Sequence, residues 1–422
     1  MHQFKSASWT YFIVCVVSGM VWGSYGIAQE NLSESIQLES ITVSAEKQDE
    51  EVQKVPSAIT VYTESALEDA GIDEIGEVIK QVPNMNYGET FLGRETIFRG
   101  IRPSQFTSKN PVVIYVDGIP HDHVNNFDAD LNNIERVEVL RGSQGTLYGK
   151  NAIGGIINVI SKQPDNNLNA KGTAEYGENG TYRVNAYVDG PILEDKLFLG
   201  LSGSWSETEG YMENNYPGED YFDGNHSFKA KALLNWFVTD RMKIRFHSGA
   251  SRIRNTNGAV VRSDEVCYSA TRDPDDKMDT DIMNLGMSLT YEWDEIELTS
   301  VSTFSDNETN LRQNLNYYRP EPAWIGLGEL ENSIFTQELR VQSKNEGNRF
   351  KWLGGLYYSQ GDENIIESGS IMNTQATLGY DKQKDYPGDT KEETFSAFGQ
   401  VTIPLIKKVD FTAGLRYERV HK

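Results

Sequence analysis

The chain has 422 residues, of which 39 are basic and 62 are acidic, so its formal net charge at pH 7 is −23. This charge argues against nucleic acid as a partner, because the phosphates would be repelled. The 37 glycines and 21 tyrosines favour a twisted, turn-rich β protein over a helical enzyme.

Residues 1–28 have the pattern of a secretory signal peptide. An apolar stretch at 11–22 follows Lys5, and Gly26 and Ala28 are small, as a signal peptidase requires. The stretch is too short for a comfortable transmembrane helix, although an N-terminal anchor that stays attached is the alternative. We predict export and cleavage, which would leave Cys267 as the only cysteine and permit no intramolecular disulfide.

Residues 29–53 form a polar, acidic leader with one β-prone island at 39–45. In this island Ile41 and Val43 alternate with hydroxyl side chains. Periodicity alone leaves two interpretations open. The island is either an accidental run in a flexible tail or a tether that adds as an edge strand to a partner's sheet.

Residues 54–164 have the pattern of a compact mixed α/β unit. An Asp-Gly pair at 117–118 indicates a turn, and Val137 and Val139 share one face of a strand whose charged neighbours need partners. The predicted elements are a strand at 58–62, a helix through Leu67 capped by Thr63 or Ser65, a helix capped by Asp73 with its apolar face at 75–82, and strands at 97–100, 111–119 and 134–140.

The glycine-rich segment LRGSQGTLYGKNAIGGIINVIS, at 140–161, superficially resembles a phosphate-binding loop. Gly145 and Gly149 enclose too few residues for that pattern, and Lys150 is followed by Asn151 instead of Ser or Thr. We therefore interpret the glycines as structural. Without side chains, they allow a neighbouring backbone to lie close to a β-branched strand.

From residue 168 onward the sequence alternates as β-strands do. After a short first connection, tight turns alternate with long loops, which is typical of an outer-membrane barrel; a soluble β-sandwich or solenoid is the alternative, but neither needs this alternation. We count eleven strands, around 170–176, 182–189, 196–205, 228–236, 243–250, 282–291, 296–304, 334–342, 350–358, 394–403 and 409–418.

Eleven strands cannot close a bacterial single-chain barrel, because these barrels have even strand counts and lipid leaves open edges unpaired. Doubling the count gives about 22, as in barrels large enough to hold a plug. We therefore predict a mainly β fold, with a mixed α/β plug domain at 54–164 inside a transmembrane antiparallel β-barrel. The segment 168–422 would be its N-terminal half, and the C-terminal strands are expected to be missing.

Several strings carry a family resemblance. IFRGIRP at 97–103, PVVIYVDGIP at 111–120 and IERVEVLRGSQGTLYGKNAIGGIINVISKQP at 134–164 resemble plug segments, and QELRVQS at 337–343 resembles a barrel strand. Together they are similar to a TonB-dependent outer-membrane receptor of the siderophore-receptor branch. ESITVSA then resembles its TonB box, formed by Glu39, Ser40, Ile41, Thr42, Val43, Ser44 and Ala45.

The resemblance implies transport rather than catalysis. A ferric siderophore would bind at the outer face, and the inner-membrane TonB-ExbB-ExbD complex would pair with residues 41–45 by strand addition and pull. The implied location is the outer membrane of a Gram-negative bacterium, with lipid and the iron chelate as further partners. No covalently bound cofactor is implied.

The resemblance also implies site residues. Arg99 and Arg141 resemble plug arginines that the family pairs with barrel carboxylates; surface arginines are the alternative. Substrate contacts are expected from outward-facing loops at 88–94, 103–110 and 121–127. The candidates are Arg94, Gln105, Phe106, His121, His123 and Asn125.

The tripeptide His121-Asp122-His123 also suggests metal binding, since imidazole and carboxylate groups are good ligands. Two imidazoles in one loop make an incomplete site, so we favour a solvated turn and predict no resident metal.

Other functions stay open at this point. Cobalamin, haem or an oligosaccharide would suit the same transport machinery, and a passive pore or adhesin would leave the TonB box unexplained. Signal transfer would need a further domain before that box, and 29–38 is too short for one. An enzyme is not expected, because the sequence has no GxSxG, HExxH or CxxC motif.

Overall fold

The computed structural model of the chain describes residues 42–44, 47–48, 50–90, 93–103, 109–124, 127–211, 213–214, 224–255, 269–270, 277–314, 324–344, 350–373, 380–383, 388–406 and 409–422. Contacts divide the chain into Met1–Thr42 and Val43–Lys422. Only Thr42 of the first unit is described, so the signal peptide expected at 1–28 lies outside the described residues.

The described residues up to Ser161 form a mixed α/β structure, as predicted. Its elements in chain order are β1 Thr42–Val43, β2 Glu50–Glu51, a 3-10 turn Val52–Lys54, β3 Ala58–Thr63, α1 Glu64–Ala70, α2 Ile75–Gln81, β4 Met85–Thr90, β5 Gly93–Phe98, β6 Lys109–Val116, β7 Ile119–His123, β8 Ile134–Arg141, α3 Gly145–Tyr148 and β9 Gly155–Ser161. A five-stranded sheet has the order β3-β8-β9-β6-β7, while β1 pairs with β2 and β4 with β5.

One face of the five-stranded sheet packs against α1 and α2. Val137 and Val139 of β8 are both 0% exposed in this core, as their alternation predicts. Leu67 of α1 and Ile79 of α2 cover them from the helical layer. The opposite face changes from apolar residues to Arg136, Glu138 and Asn158. Of these three, Glu138 and Asn158 bond to Ser44 of the leader.

Of the two predicted helix caps, one is confirmed and one is wrong. Thr63 caps α1, since its hydroxyl accepts a hydrogen bond from Ala66 N at 3.3 Å. The predicted Asp73 cap of α2 is wrong, because the helix begins at Ile75 and Glu74 occupies the N-cap position without a side-chain bond. Asp73 lies one residue too early and instead pairs with Arg183.

The turns refine the predicted strand ends. Asp117 and Gly118 have φ values of 49° and 90°, so the 111–119 segment forms a tight hairpin between β6 and β7. The strand predicted at 97–100 ends at Phe98, because Arg99 and Gly100 adopt positive φ values of 49° and 83°.

The glycine-rich segment allows close backbone approach, as interpreted from the sequence. A Cβ atom on Gly155 would lie 2.2 Å from Leu140 O on the neighbouring strand, and its φ is 151°. A Cβ on Gly149 would lie 3.0 Å from Arg416 Nη2 in the large sheet. These glycines therefore let β8 and β9 pair and let the plug approach the barrel wall.

The second part is a large antiparallel sheet whose eleven long strands confirm the predicted count. They follow the chain order, and β10 and β23 are its edges among the described residues. The strands are β10 Asn169–Gly177, β11 Thr181–Leu193, β12 Leu197–Thr208, β14 Asn225–Thr239, β15 Met242–Asn255, β17 Lys277–Glu292, β18 Ile296–Asn314, β19 Trp324–Ser343, β20 Lys351–Asn373, β22 Gly388–Ile406 and β23 Val409–His421; the short β13 Glu213–Asn214, β16 Ser269–Ala270 and β21 Tyr380–Gln383 lie between them.

The two faces of the large sheet have opposite polarity. Val184 and Val188 of β11 are 46% and 42% exposed, whereas Arg183 and Asn185, on either side of Val184, are half-buried. Further along, Asn235 is only 3% exposed. An apolar outer face and a polar inner face are typical of a membrane barrel wall.

The long strands continue beyond their predicted ends. The strand predicted around 296–304 extends to Asn314, and within its additional part Ser305, Asn307 and Thr309 are 2%, 1% and 4% exposed. Both faces of this part of the strand are polar, so apolar and polar residues do not alternate along it. Alternation therefore could not predict the strand here. Among the described residues, no helix is long and apolar enough to cross a membrane.

We expect Gly155→Ala to destabilise the plug by more than about 3 kcal/mol, because the added methyl group meets a backbone carbonyl at a strained φ. The measurement follows hydrogen exchange of the β9 amides as the urea concentration is raised, and it compares the midpoint of the transition between variants. Gly118→Ala is the control, since its φ is 90° but nothing lies within 4 Å of the added Cβ; we expect about 1 kcal/mol there. Equal losses in both variants would contradict the close packing at Gly155.

Candidate functional site

The end of the predicted TonB box lies on the plug sheet. Ser44 N donates a hydrogen bond of 3.0 Å to Glu138 Oε1, and Asn158 Nδ2 approaches Ser44 Oγ at 3.5 Å. The preceding Val43 is only 1% exposed. Residues 39–41 and 45 of the box lie outside the described residues, so the role of the box stays a prediction.

The leader is also bonded to the barrel wall. Lys47 Nζ lies 2.5 Å from Glu338 Oε2 of β19, and both side chains are almost buried. The ammonium lies over the rings of Tyr148 and Phe398 at 4.8 and 5.0 Å. Burial lowers the pKa of Lys47, an effect that the Glu338 carboxylate opposes. The leader therefore connects the plug to the wall through a buried charge pair.

Two further bonds extend this attachment. Gln48 Nε2 donates to Trp352 O at 3.4 Å, and Lys351 Nζ donates to Glu50 Oε1 at 2.6 Å. Both wall residues belong to β20, next to the β19 strand that carries Glu338. The described leader residues from Ser44 to Glu50 thus bond to the plug sheet and to two neighbouring wall strands.

A set of ion pairs joins the plug to the first wall strands, with the carboxylate on the plug and the base on the wall. The pairs are Glu68–Lys171, Asp73–Arg183 and Asp128–Lys229. The sequence analysis missed this polarity, because each pair joins residues that lie far apart in the chain. A fourth pair, Lys150–Glu392 at 2.5 Å, has the opposite polarity.

The predicted plug arginines differ from these pairs. Arg99 lies exposed in the turn after β5, with its guanidinium 4.9 Å from the Phe98 ring centre. Arg141 is the last residue of β8. Its positive charge partly offsets the rise in the pKa of Tyr62 that burial causes. Neither forms an ion pair with a carboxylate among the described residues, so their pairing with barrel carboxylates stays a prediction.

The side chain of Arg94, a predicted substrate contact, is only 14% exposed. Its Nη1 lies 3.1 Å from Asp128 Oδ2, and the same oxygen lies 2.7 Å from Lys229 Nζ. Burial alone would raise the pKa of Asp128, but Lys229 and Arg94 outweigh it and lower the value to about 2. One buried carboxylate of the plug therefore contacts a plug arginine and a wall lysine at the same time.

The predicted histidine loop is part of a strand. His121 and His123 belong to β7 and are 4% and 0% exposed, so the solvated-turn interpretation is wrong for both imidazoles. The hairpin with β6 places these alternate residues on its buried face. Gln105, Phe106 and Asn125 lie outside the described residues, and substrate contact by any of these residues stays a prediction. Within the described ranges, no group of three His, Cys, Asp or Glu residues could hold a metal ion.

A cavity of about 600 Å³ borders the leader on the inner side of the wall. Ser44 and Lys47 form one side of it, and Arg245 of β15 and Thr299 of β18 form part of the other. The leader is therefore fixed by directed bonds to the plug and wall while open space lies beside it.

Comparison with known proteins identifies the architecture. A family model described as TonB-dependent Receptor Plug Domain matches residues 51–156, and a model described as TonB dependent receptor-like, beta-barrel matches residues 250–422. The chain belongs to the TonB-dependent receptor family. Members of this family are outer-membrane β-barrel proteins, and the plug and eleven-stranded sheet described above are the corresponding parts.

Individual relatives agree with this family. The pesticin receptor of Yersinia pestis is 26% identical over 370 residues, which cover 85% of this chain and 52% of that protein. The vitamin B12 transporter BtuB of Photobacterium profundum is 26% identical over 52% of this chain and 37% of its own length. These relatives are receptors and transporters, not enzymes.

A solved structure shows the same fold. The ferric yersiniabactin uptake receptor FyuA of Yersinia pestis superposes with a TM-score of 0.77 at 24% identity, over 86% of this chain and 56% of that one. The chain therefore spans about half the length of FyuA and of the pesticin receptor.

We expect the Arg94–Asp128–Lys229 cluster to make the free energy of unfolding of the plug decrease at low pH. Because the folded pKa of Asp128 is about 2, below its ordinary 3.8, its contribution is present above pH 4 and is lost as the pH falls toward 2. The loss should be about 2 kcal/mol. Urea midpoints for hydrogen exchange of the plug amides, measured between pH 5 and pH 2, would show it.

In Asp128→Asn this pH dependence should disappear, and the plug should be weaker by about 3 kcal/mol at neutral pH because two buried bases lose their partner. Asp69→Asn, a surface change on α1, is the control. An unchanged slope in Asp128→Asn would contradict the role of this carboxylate.

Proposed function

We propose that this receptor imports a ferric siderophore across the outer membrane by a TonB-dependent mechanism. The observation that supports it most is the double attachment of the leader, through Ser44 to the plug and through Lys47 to the wall. A pull on residues 41–45 would load both bonds and so reach the plug directly. Such a linkage has a use in energised import and none in a passive pore.

The relatives favour an iron chelate as the solute. Siderophore or ferric-chelate receptors occur among both the related sequences and the related structures, with the ferric yersiniabactin receptor fold as the main example. Cobalamin is the second candidate, because the vitamin B12 transporter matches half of this chain.

This function assigns a role to each segment. Residues 1–28 are a cleaved signal peptide, 29–53 the leader with the TonB box at 39–45, 54–164 the plug and 168–422 part of the barrel. The partners are the TonB-ExbB-ExbD complex, outer-membrane lipid and the iron chelate. The candidate ligand residues remain Arg94, Gln105, Phe106, His121, His123 and Asn125.

Deleting residues 41–45 should abolish energised uptake while ligand binding at the cell surface is retained, because the outer face does not include the leader. The measurement compares binding and uptake of radioiron-loaded siderophores of the catecholate, hydroxamate and carboxylate classes in iron-limited cells. A deletion of residues 30–34 is the length-matched control and should transport normally. Full uptake without 41–45 would contradict the TonB assignment, and uptake of cyanocobalamin alone would identify the second candidate.

A further inference from the structure

The leader rests on a carboxylate that is completely buried in the plug sheet. Glu138 of β8 is 0% exposed, and its cross-strand neighbour is Asn158 of β9. Three donors surround it: Arg136 Nε at 2.8 Å, Asn158 Nδ2 at 3.3 Å and Ser44 N at 3.0 Å. A buried carboxylate needs such donors, since it has left water. Two of them come from the plug and one from the leader.

The leader donor is a backbone N–H, the group that strand addition uses. A partner strand would pair with the backbone N–H and C=O groups of 41–45, in which Ser44 is the fourth residue. Ser44 has one N–H hydrogen, and the structure directs it at Glu138 Oε1. Docking on the plug and pairing of this group with a partner strand therefore exclude each other.

We propose that Glu138 is the positioning residue of the leader: it holds the TonB box on the plug and competes with the incoming strand for Ser44 N–H. The competition with TonB rests on the proposed function, whereas the docking itself does not. Arg136 and Asn158 orient the carboxylate, so two of its donors remain when the leader departs. When the leader leaves the plug, the buried Glu138 carboxylate therefore still accepts hydrogen bonds from Arg136 and Asn158.

Glu138→Gln tests this with little change of shape. All three neighbours of Glu138 are donors, so the amide must turn its own NH₂ group toward at least one of them. The substitution replaces the charged acceptor by a neutral amide and removes at least one hydrogen bond to it. Because of this loss, we expect the ratio of docked to undocked leader to fall about tenfold. Glu135→Gln is the matched control, because Glu135 also pairs with Arg136 but is half exposed and has no bond to a described leader residue.

The first readout is leader mobility without any partner. A spin label at Thr42→Cys, in a Cys267→Ser background and in isolated outer membranes, reports the mobile fraction. We expect that fraction to rise about tenfold in Glu138→Gln and to stay unchanged in Glu135→Gln. Ser44→Pro removes the N–H group that donates to Glu138 and leaves the plug sheet itself unchanged. It should therefore raise the mobile fraction even if Glu138→Gln impairs folding of the plug. Unchanged mobility in both Glu138→Gln and Ser44→Pro would overturn the proposal.

A double-mutant comparison shows whether the effect passes through this one bond. In the Ser44→Pro background, Glu138→Gln should add no further mobility, because the shared bond is already lost. Additive increases would mean that Glu138 acts through plug stability and would overturn the proposal.

The second readout is affinity for the purified periplasmic domain of TonB. Because only the undocked leader can pair, Glu138→Gln should tighten apparent binding up to about tenfold. Increased mobility without any TonB binding would leave the docking role intact and overturn the proposed function. Increased mobility with TonB affinity equal to that of the unaltered receptor would overturn the competition.

Discussion

A charge removed from water must find a partner, and in this chain the partners lie far away in sequence. Glu138 is bonded to the leader, Lys47 joins the leader to the wall, and Asp128 joins the plug to the wall. Removing one member of a buried pair typically costs about 3–5 kcal/mol. Three segments that could otherwise separate are therefore held in one arrangement by a few directed contacts.

The polarity of the large sheet makes such contacts possible. Its outer face carries exposed apolar side chains such as Val184 and Leu201, whereas its inner face presents Arg183, Lys229 and Glu338 to the plug and leader. Contacts of this kind can be exchanged for water or for another polar partner at modest net cost. A plug attached by a wide apolar interface would be much harder to move.

Patterns that repeat locally were predictable from sequence. The eleven strands and the Val137–Val139 core face follow from period-2 alternation, and the close approach at Gly155 follows from glycine beside β-branched residues. Features that depend on distant partners were not. Asp73 looks like a helix cap until Arg183 is placed beside it, and His121 and His123 look like loop residues until their strand is paired with β6. Such pairings leave no trace in local sequence.

The most direct test is a reversible crosslink between the leader and the plug. Asn158 Nδ2 and Ser44 Oγ are 3.5 Å apart, so Ser44→Cys with Asn158→Cys, in a Cys267→Ser background, brings two thiols together. We predict that the oxidised receptor binds its iron-loaded siderophore at the cell surface but imports none, and that a reductant restores import. Continued energised import through the intact crosslink would contradict the claim that the leader must leave the plug for transport.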